Sequence, residues 1–275
     1  MWRTGIIIIL LLGGAIGPAS AHHKAGHKAG GSTGAALYPD LVTHRPFELY
    51  FDQVVFSDGS THHVLRFSNT VENIGSGRLE LQGEKQSKIY QNVYDAARGG
   101  NLVQQIYIGN DSIFHEGHDH YHIENFNSYL LLQKDASGVY QATTKEEIKS
   151  SCLLDFFRAS GSYSAQYTSC LDPAGDETLQ GLTVGWADTY WAELIDQWVD
   201  LGSSPLANGT YAIRSTADPL NMIAESNNEN NHASTCFTVQ HRTPTMDAAM
   251  PGYPSAPDRW GGGWFVSGTI TIIPC

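Results

Sequence analysis

From residue 40 to residue 240, hydrophobic positions come in short runs rather than helical stripes. Residues 62–71, 77–82, 129–133, 209–216 and 235–240, and later 264–273, are rich in Val, Ile, Leu, Thr and aromatic side chains. Clusters of Gly, Asn, Asp and Ser bound them. Runs of this length and punctuation predict strands. A 3.6-residue apolar repeat is scarce, and residues 188–198, which fit a short helix or a strand, read best as irregular. Many short strands with glycine turns predict an all-β, sandwich-like domain with long irregular loops. The Pro- and Gly-rich stretch 243–263 predicts one such loop before a last strand.

The beginning of the chain has a different texture. Arg3 supplies a positive charge, residues 5–15 are largely apolar, and Ala19, Ser20 and Ala21 form a small-x-small cleavage signal. That is the pattern of a secretory signal peptide over residues 1–21. The apolar run is too short and glycine-broken for a spanning helix. Residues 22–37 repeat His-Lys-Ala-Gly and are expected to be a disordered His/Lys/Gly-rich segment. The domain itself is expected over 38–275. The expectation is therefore a secreted, extracellular protein with no membrane partner.

Charge and cysteines narrow the choice. There are 28 acidic and 16 basic residues, a formal net charge of −12, and the pI is near 5.3. This argues against a nucleic-acid partner and is compatible with cationic substrates. Cys152, Cys170, Cys236 and Cys275 allow three pairings. In an exported chain they read as two disulfides. Cys152–Cys170 and Cys236–Cys275 each close a local loop.

The chemistry concentrates in residues 114–122, Phe-His-Glu-Gly-His-Asp-His-Tyr-His, which hold His115, His118, His120 and His122. On a helix, residues two apart diverge by about 200°, whereas on a strand they share a face. Their Cα atoms are then about 6.8 Å apart, and an imidazole plus its metal bond reaches roughly 6 Å. One ion above His120 is thus within reach of His118, His120 and His122. Imidazole ligands suit copper or zinc. The plain alternative is a solvated histidine-rich loop. A zincin site fails because Asp119 stands where its second histidine belongs. A cupin-like site fits His118, His120 and Glu124 but lacks the framing glycines. Copper chelation by an N-terminal His22 would leave residues 118–122 without a purpose.

The same run resembles the copper motif of the lysyl oxidase family, Trp-His-x-x-His-x-His-Tyr-His, with Phe114 in place of the tryptophan. Residues 148–155, Ile-Lys-Ser-Ser-Cys-Leu-Leu-Asp, resemble that family's Lys-x-x-x-Cys-Leu-x-Asp segment. Residues 186–198 resemble its Asp-Thr-Tyr…Asp-x-Gln-Trp segment. The three stand in the family's order, and the resemblance spans about 39–240.

The resemblance implies a copper amine oxidase with a built-in quinone. Copper ligands fall on His118, His120 and His122, and lysine tyrosylquinone would form from Lys149 and Tyr190. The implied substrates are primary amines, including lysine side chains of proteins or peptides, and dioxygen. His115 stands beside the ligands; Asp155 and His115 are the candidates for the catalytic base. A calcium site falls on Asp40, the Leu41 carbonyl, Glu225, Asn227, Asn230 and Asn231, oxygen donors of the kind a hard cation prefers. The chain departs from the family in three places. Two residues separate Lys149 from Cys152 where relatives usually have three, with Lys145 the next lysine upstream. Asn227 replaces an Asp. Two possible disulfides stand against five in vertebrate members. Without the resemblance, a secreted copper-binding protein without turnover and a cupin-like metalloenzyme remain open.

Overall fold

Sixteen strands and no helix form among the described residues, which in the computed structural model are 34–84, 88–109, 112–115, 120–170, 177–241 and 268–275. The long strand β3 (Thr61–Asn73) is the spine of the first sheet. Its first half pairs with β2 (Phe47–Val55) and β13 (Trp198–Gly202), its second half with β1 (Leu41–Thr43) and β12 (Trp186–Tyr190), all antiparallel. The short β10 (Phe157–Arg158) extends β12. A second sheet runs β11 (Glu177–Leu182), β4 (Leu79–Glu84), β5 (Ile89–Tyr94), β6 (Leu102–Gly109). The third runs β16 (Thr269–Ile273), β15 (His232–Gln240), β14 (Gly209–Ala217), β8 (His120–Lys134), β7 (Ser112–His115), with β9 (Tyr140–Ser151) also paired to β8.

The first and third sheets face each other. Leu65 and Phe67 of β3 and Val199 of β13 meet Tyr129, Leu131, Ile213 and Phe237 in one core, each at most 1% exposed. Phe67 and Tyr129 meet edge to face at 4.8 Å. Full burial of each such side chain contributes roughly 1.5–3 kcal/mol, so this seam fixes β8 against β3. A second core of Leu41, Val71, Leu79, Leu81, Ile89, Ile123, Phe126 and Leu153 joins all three sheets.

The all-β expectation holds. Residues 62–71, 77–82, 129–133, 209–216 and 235–240 fall in or across β3, β4, β8, β14 and β15. The irregular reading of residues 188–198 holds over 191–197 and is corrected at the two ends. The segment continues β12 to Tyr190, turns, and enters β13 at Trp198, because β12 is buried against β3. Both expected disulfides, Cys152–Cys170 and Cys236–Cys275, are present. Leu37 already pairs with the sheet, its amide donating to the Tyr94 carbonyl at 2.8 Å. The signal peptide, most of the 22–37 segment, His118 and the 243–263 loop lie outside the described residues. Among the described residues, no helix is long and apolar enough to cross a membrane.

Candidate functional site

Three strands build the site. β8 opens on His120 and His122, alternate residues on one face, and its pairing with β9 shifts register between Ile123 and Asn127. Asn125 takes up that irregularity at φ 57°, a left-handed conformation that asparagine tolerates better than most residues. The strand therefore bends just beyond the histidines. β9 brings Lys149 and Ser150 beside them, and β12 brings Tyr190 from the facing sheet. The backbone of His115, on β7, pairs opposite His120.

The two imidazoles converge. His120 Nε2 and His122 Nε2 are 3.1 Å apart. Two nitrogens bound to one ion at about 2.0 Å each would stand roughly 2.8–3.3 Å apart, so this pair fits a shared cation. His122 is buried, and its Nδ1 meets Ser150 Oγ at 3.1 Å. Donation from Nδ1 to that hydroxyl leaves Nε2 free of its proton, the form that ligates a metal. The Cys152 and Cys170 sulfurs also lie within 4.8 Å of His120. They are joined as a disulfide, and thiolate is the ligating form, so they do not complete a metal site.

Tyr190 stands edge-on to His122, with ring centres 6.2 Å apart. Its hydroxyl accepts the Cys152 amide N–H at 2.6 Å and donates to the Cys152 carbonyl at 3.3 Å. Burial, with the Asp188 charge next, pushes this phenol well above its ordinary range. A pocket of about 160 Å³ opens here, lined by His122, Ile148, Lys149, Ser150, Tyr190 and residues 195–197. Tyr190 and Lys149, far apart in sequence, thus share one wall. Beneath the ring a second cavity of about 10 Å³ is lined by Asn69, Asn127, Ser151 and Asp188 among others. Asn69 Oδ1 and Asn127 Oδ1 are buried without a hydrogen-bond partner.

Asp188 was not among the residues the sequence pointed to. Burial pushes its carboxyl up to about 7, against the pull of the Leu154 and Thr189 amides; the Asp155 charge adds to the rise. Its signal was strand parity, two residues before Tyr190. Asp155 is placed differently. It accepts hydrogen bonds from the amides of Gln166, Tyr167 and Thr183 and from Thr183 Oγ1, at 2.6–3.1 Å. Those donors tie three chain segments together, and Asp155 does not line the pocket.

The residues expected around calcium gather at the start of β1. Glu225 accepts the Leu41 amide at 2.5 Å and the Asn231 side-chain amide at 2.7 Å. Asn230 donates to Asp40 at 2.8 Å. Burial pushes Glu225 up to about 7, and Asn230 Oδ1 and Asn231 Oδ1 are buried without partners. Two carboxylates and two orphaned amide oxygens fit a hard cation. Asn227 is exposed and accepts the Glu229 amide instead.

Fold and site together define an all-β protein in which one of two paired imidazoles, a buried phenol and a lysine line one pocket. The chain belongs to the lysyl oxidase family, whose sequence profile (Lysyl oxidase) matches residues 92–248. It is 26% identical over 239 residues to lysyl oxidase homolog 4 of Mus musculus, covering 78% of this chain and 27% of that protein. It is 31% identical over 119 residues to protein-lysine 6-oxidase of Rattus norvegicus, covering 43% of this chain and 26% of that protein. Over 125 residues it is 34% identical to human lysyl oxidase homolog 4, covering 45% of this chain and 15% of that protein. The matched stretches thus cover about a quarter or less of each of these relatives.

Proposed function

We propose that this chain is a secreted copper- and quinone-dependent amine oxidase. It would convert primary amines, including lysine side chains, with dioxygen and water to aldehydes, ammonia and hydrogen peroxide. His118, His120 and His122 would hold the copper, which supplies one-electron chemistry with dioxygen; lysine tyrosylquinone, built from Lys149 and Tyr190, would supply the electron sink. The single observation that carries this reading is the meeting of Tyr190, His122 and Lys149 at one pocket.

The chain's own residues have distinct tasks. Ser150 orients the His122 ring. The Cys152 amide and carbonyl hold the Tyr190 hydroxyl. Asp188, poised near neutrality beside Tyr190, is better suited to accept and return a proton than Asp155, whose oxygens serve structural donors. His115 keeps a place beside the ligands through its backbone pairing with His120. Asp40, Leu41, Glu225, Asn230 and Asn231, with Asn227 at the margin, would bind calcium and brace the start of β1. Relatives named protein-lysine 6-oxidase and the acidic charge of the chain support a cationic amine as substrate.

The test is expression with copper, followed by phenylhydrazine labelling and peptide mass mapping. A coloured adduct and a peptide joining Lys149 to Tyr190 are expected, with peroxide released on addition of a primary amine. A copper-loaded protein that stays colourless, carries unmodified Tyr190 and releases no peroxide would overturn the reading in favour of a copper-binding protein without turnover.

A further inference from the structure

We propose that Glu147 is the positioning residue for Lys149, holding its amine against the face of Trp198 at the pocket that Tyr190 also lines; this rests on the oxidase reading above. Glu147 and Lys149 are alternate residues of β9 and share a face, while Glu146 falls on the other. Lys149 Nζ lies 3.3 Å from Glu147 Oε2 and 4.3 Å from the centre of the Trp198 ring. The other oxygen of Glu147 accepts the Asp200 amide at 3.4 Å. One strand, β13, therefore supplies both the aromatic face and the anchor of the acid. The indole is itself fixed: Trp198 is 7% exposed, and Phe56 packs edge-on at 5.7 Å.

An isolated, partly exposed ion pair holds a lysine only weakly, and a free lysine spreads over many rotamers. Here two restraints act from different directions, since the indole attracts the same ammonium through its ring face. The Lys149 side chain is 17% exposed. Confining the amine at the pocket wall raises its effective concentration at the Tyr190 ring. Dioxygen first takes the phenol to the ortho-quinone with loss of water; Glu147 then accepts the ammonium proton, the freed Nζ bonds to a ring carbon whose hydrogen leaves as a proton, and a second dioxygen accepts the two electrons and two protons of the reduced adduct and departs as hydrogen peroxide. Glu147 lies outside all three motifs that resemble the family.

The first arm of the test uses metal-free protein. Competitive labelling with acetic anhydride, read lysine by lysine in the mass spectrum, should modify Lys149 several-fold more slowly than exposed Lys88. Glu147→Gln should abolish that protection and Glu147→Asp should restore part of it, with thermal melting checking that each variant folds. The second arm maps copper-grown protein. Glu147→Gln should keep oxidised Tyr190 but lower several-fold the share joined to Lys149. Equal labelling of Lys149 in wild type and E147Q, or an unchanged cross-linked share, overturns the proposal. A protected Lys149 in a copper-loaded wild type whose Tyr190 is unaltered supports the clamp and removes the oxidase reading instead.

Discussion

Tyr190 meets the His122 imidazole nearly at a right angle, 85° between ring planes. The phenol is therefore packed crosswise against the ring that would carry the metal, and its hydroxyl is held by the Cys152 backbone. Two substitutions separate these roles. Tyr190→Phe should keep copper affinity within a few-fold and lose all phenylhydrazine labelling. His122→Ala should lose labelling and most copper binding, as measured by chelator competition.

Ser150 offers a finer probe. Its hydroxyl is the partner of His122 Nδ1, and losing such a partner typically costs about 10–100-fold in metal affinity. Ser150→Ala should show that loss while the fold melts near the wild-type temperature. Unchanged affinity would mean that the ring needs no second anchor.

Asp188 should leave a signature in stability against pH. Its carboxyl titrates near 7 in the folded protein and near 3.9 in an unfolded chain. The folded state thus holds a proton that the unfolded state releases earlier. The contribution favours folding at low pH and is lost as pH rises from about 4 to about 7. Asp188→Asn, which cannot ionise, should be more stable than wild type at pH 8 by roughly 1–4 kcal/mol. That advantage should shrink or reverse at pH 4, as read by urea denaturation at the two pH values.

Glu225 links the calcium proposal to pH in the same direction. Held near 7 by burial, it binds a proton in competition with a cation. Added calcium should raise the melting temperature at pH 8 more than at pH 6, and Glu225→Gln should largely remove the shift. A melting temperature indifferent to calcium at pH 8 would leave the cluster as a hydrogen-bonded turn.

Asp155→Asn should destabilise the protein by about 3 kcal/mol or more, since three backbone amides and a hydroxyl would face a weaker acceptor in a buried place. Denaturant melting measures it. A variant that folds as well as wild type yet loses turnover would return Asp155 to the role of base.

The strands legible in the sequence were those whose apolar residues fill the core, such as Leu65, Phe67 and Val71 of β3 or Tyr211 and Ile213 of β14. β9 was not legible, because its Thr, Lys and Glu residues are largely half-buried or exposed and only pairing with β8 makes it a strand. The histidines declared a site through their spacing, which a strand turns into a common face. Lys149 and Tyr190 came from resemblance alone; nothing local marks a lysine or a tyrosine as a reactant. Asp188 and Glu147 escaped notice because their meaning depends on contacts with distant segments, the Leu154 amide for one and the Asp200 amide for the other.

The seat of Tyr190 is the backbone of Cys152, and Cys152 is tied to Cys170. If Tyr190 is the quinone precursor proposed above, assembly of that centre would be coupled to thiol oxidation. A reduced chain would carry the proposed ligands and both proposed precursor side chains, yet lack the brace that steadies the phenol. On the oxidase proposal, peroxide chemistry would wait for an oxidising compartment, making the staple a safety catch as well as a fastening.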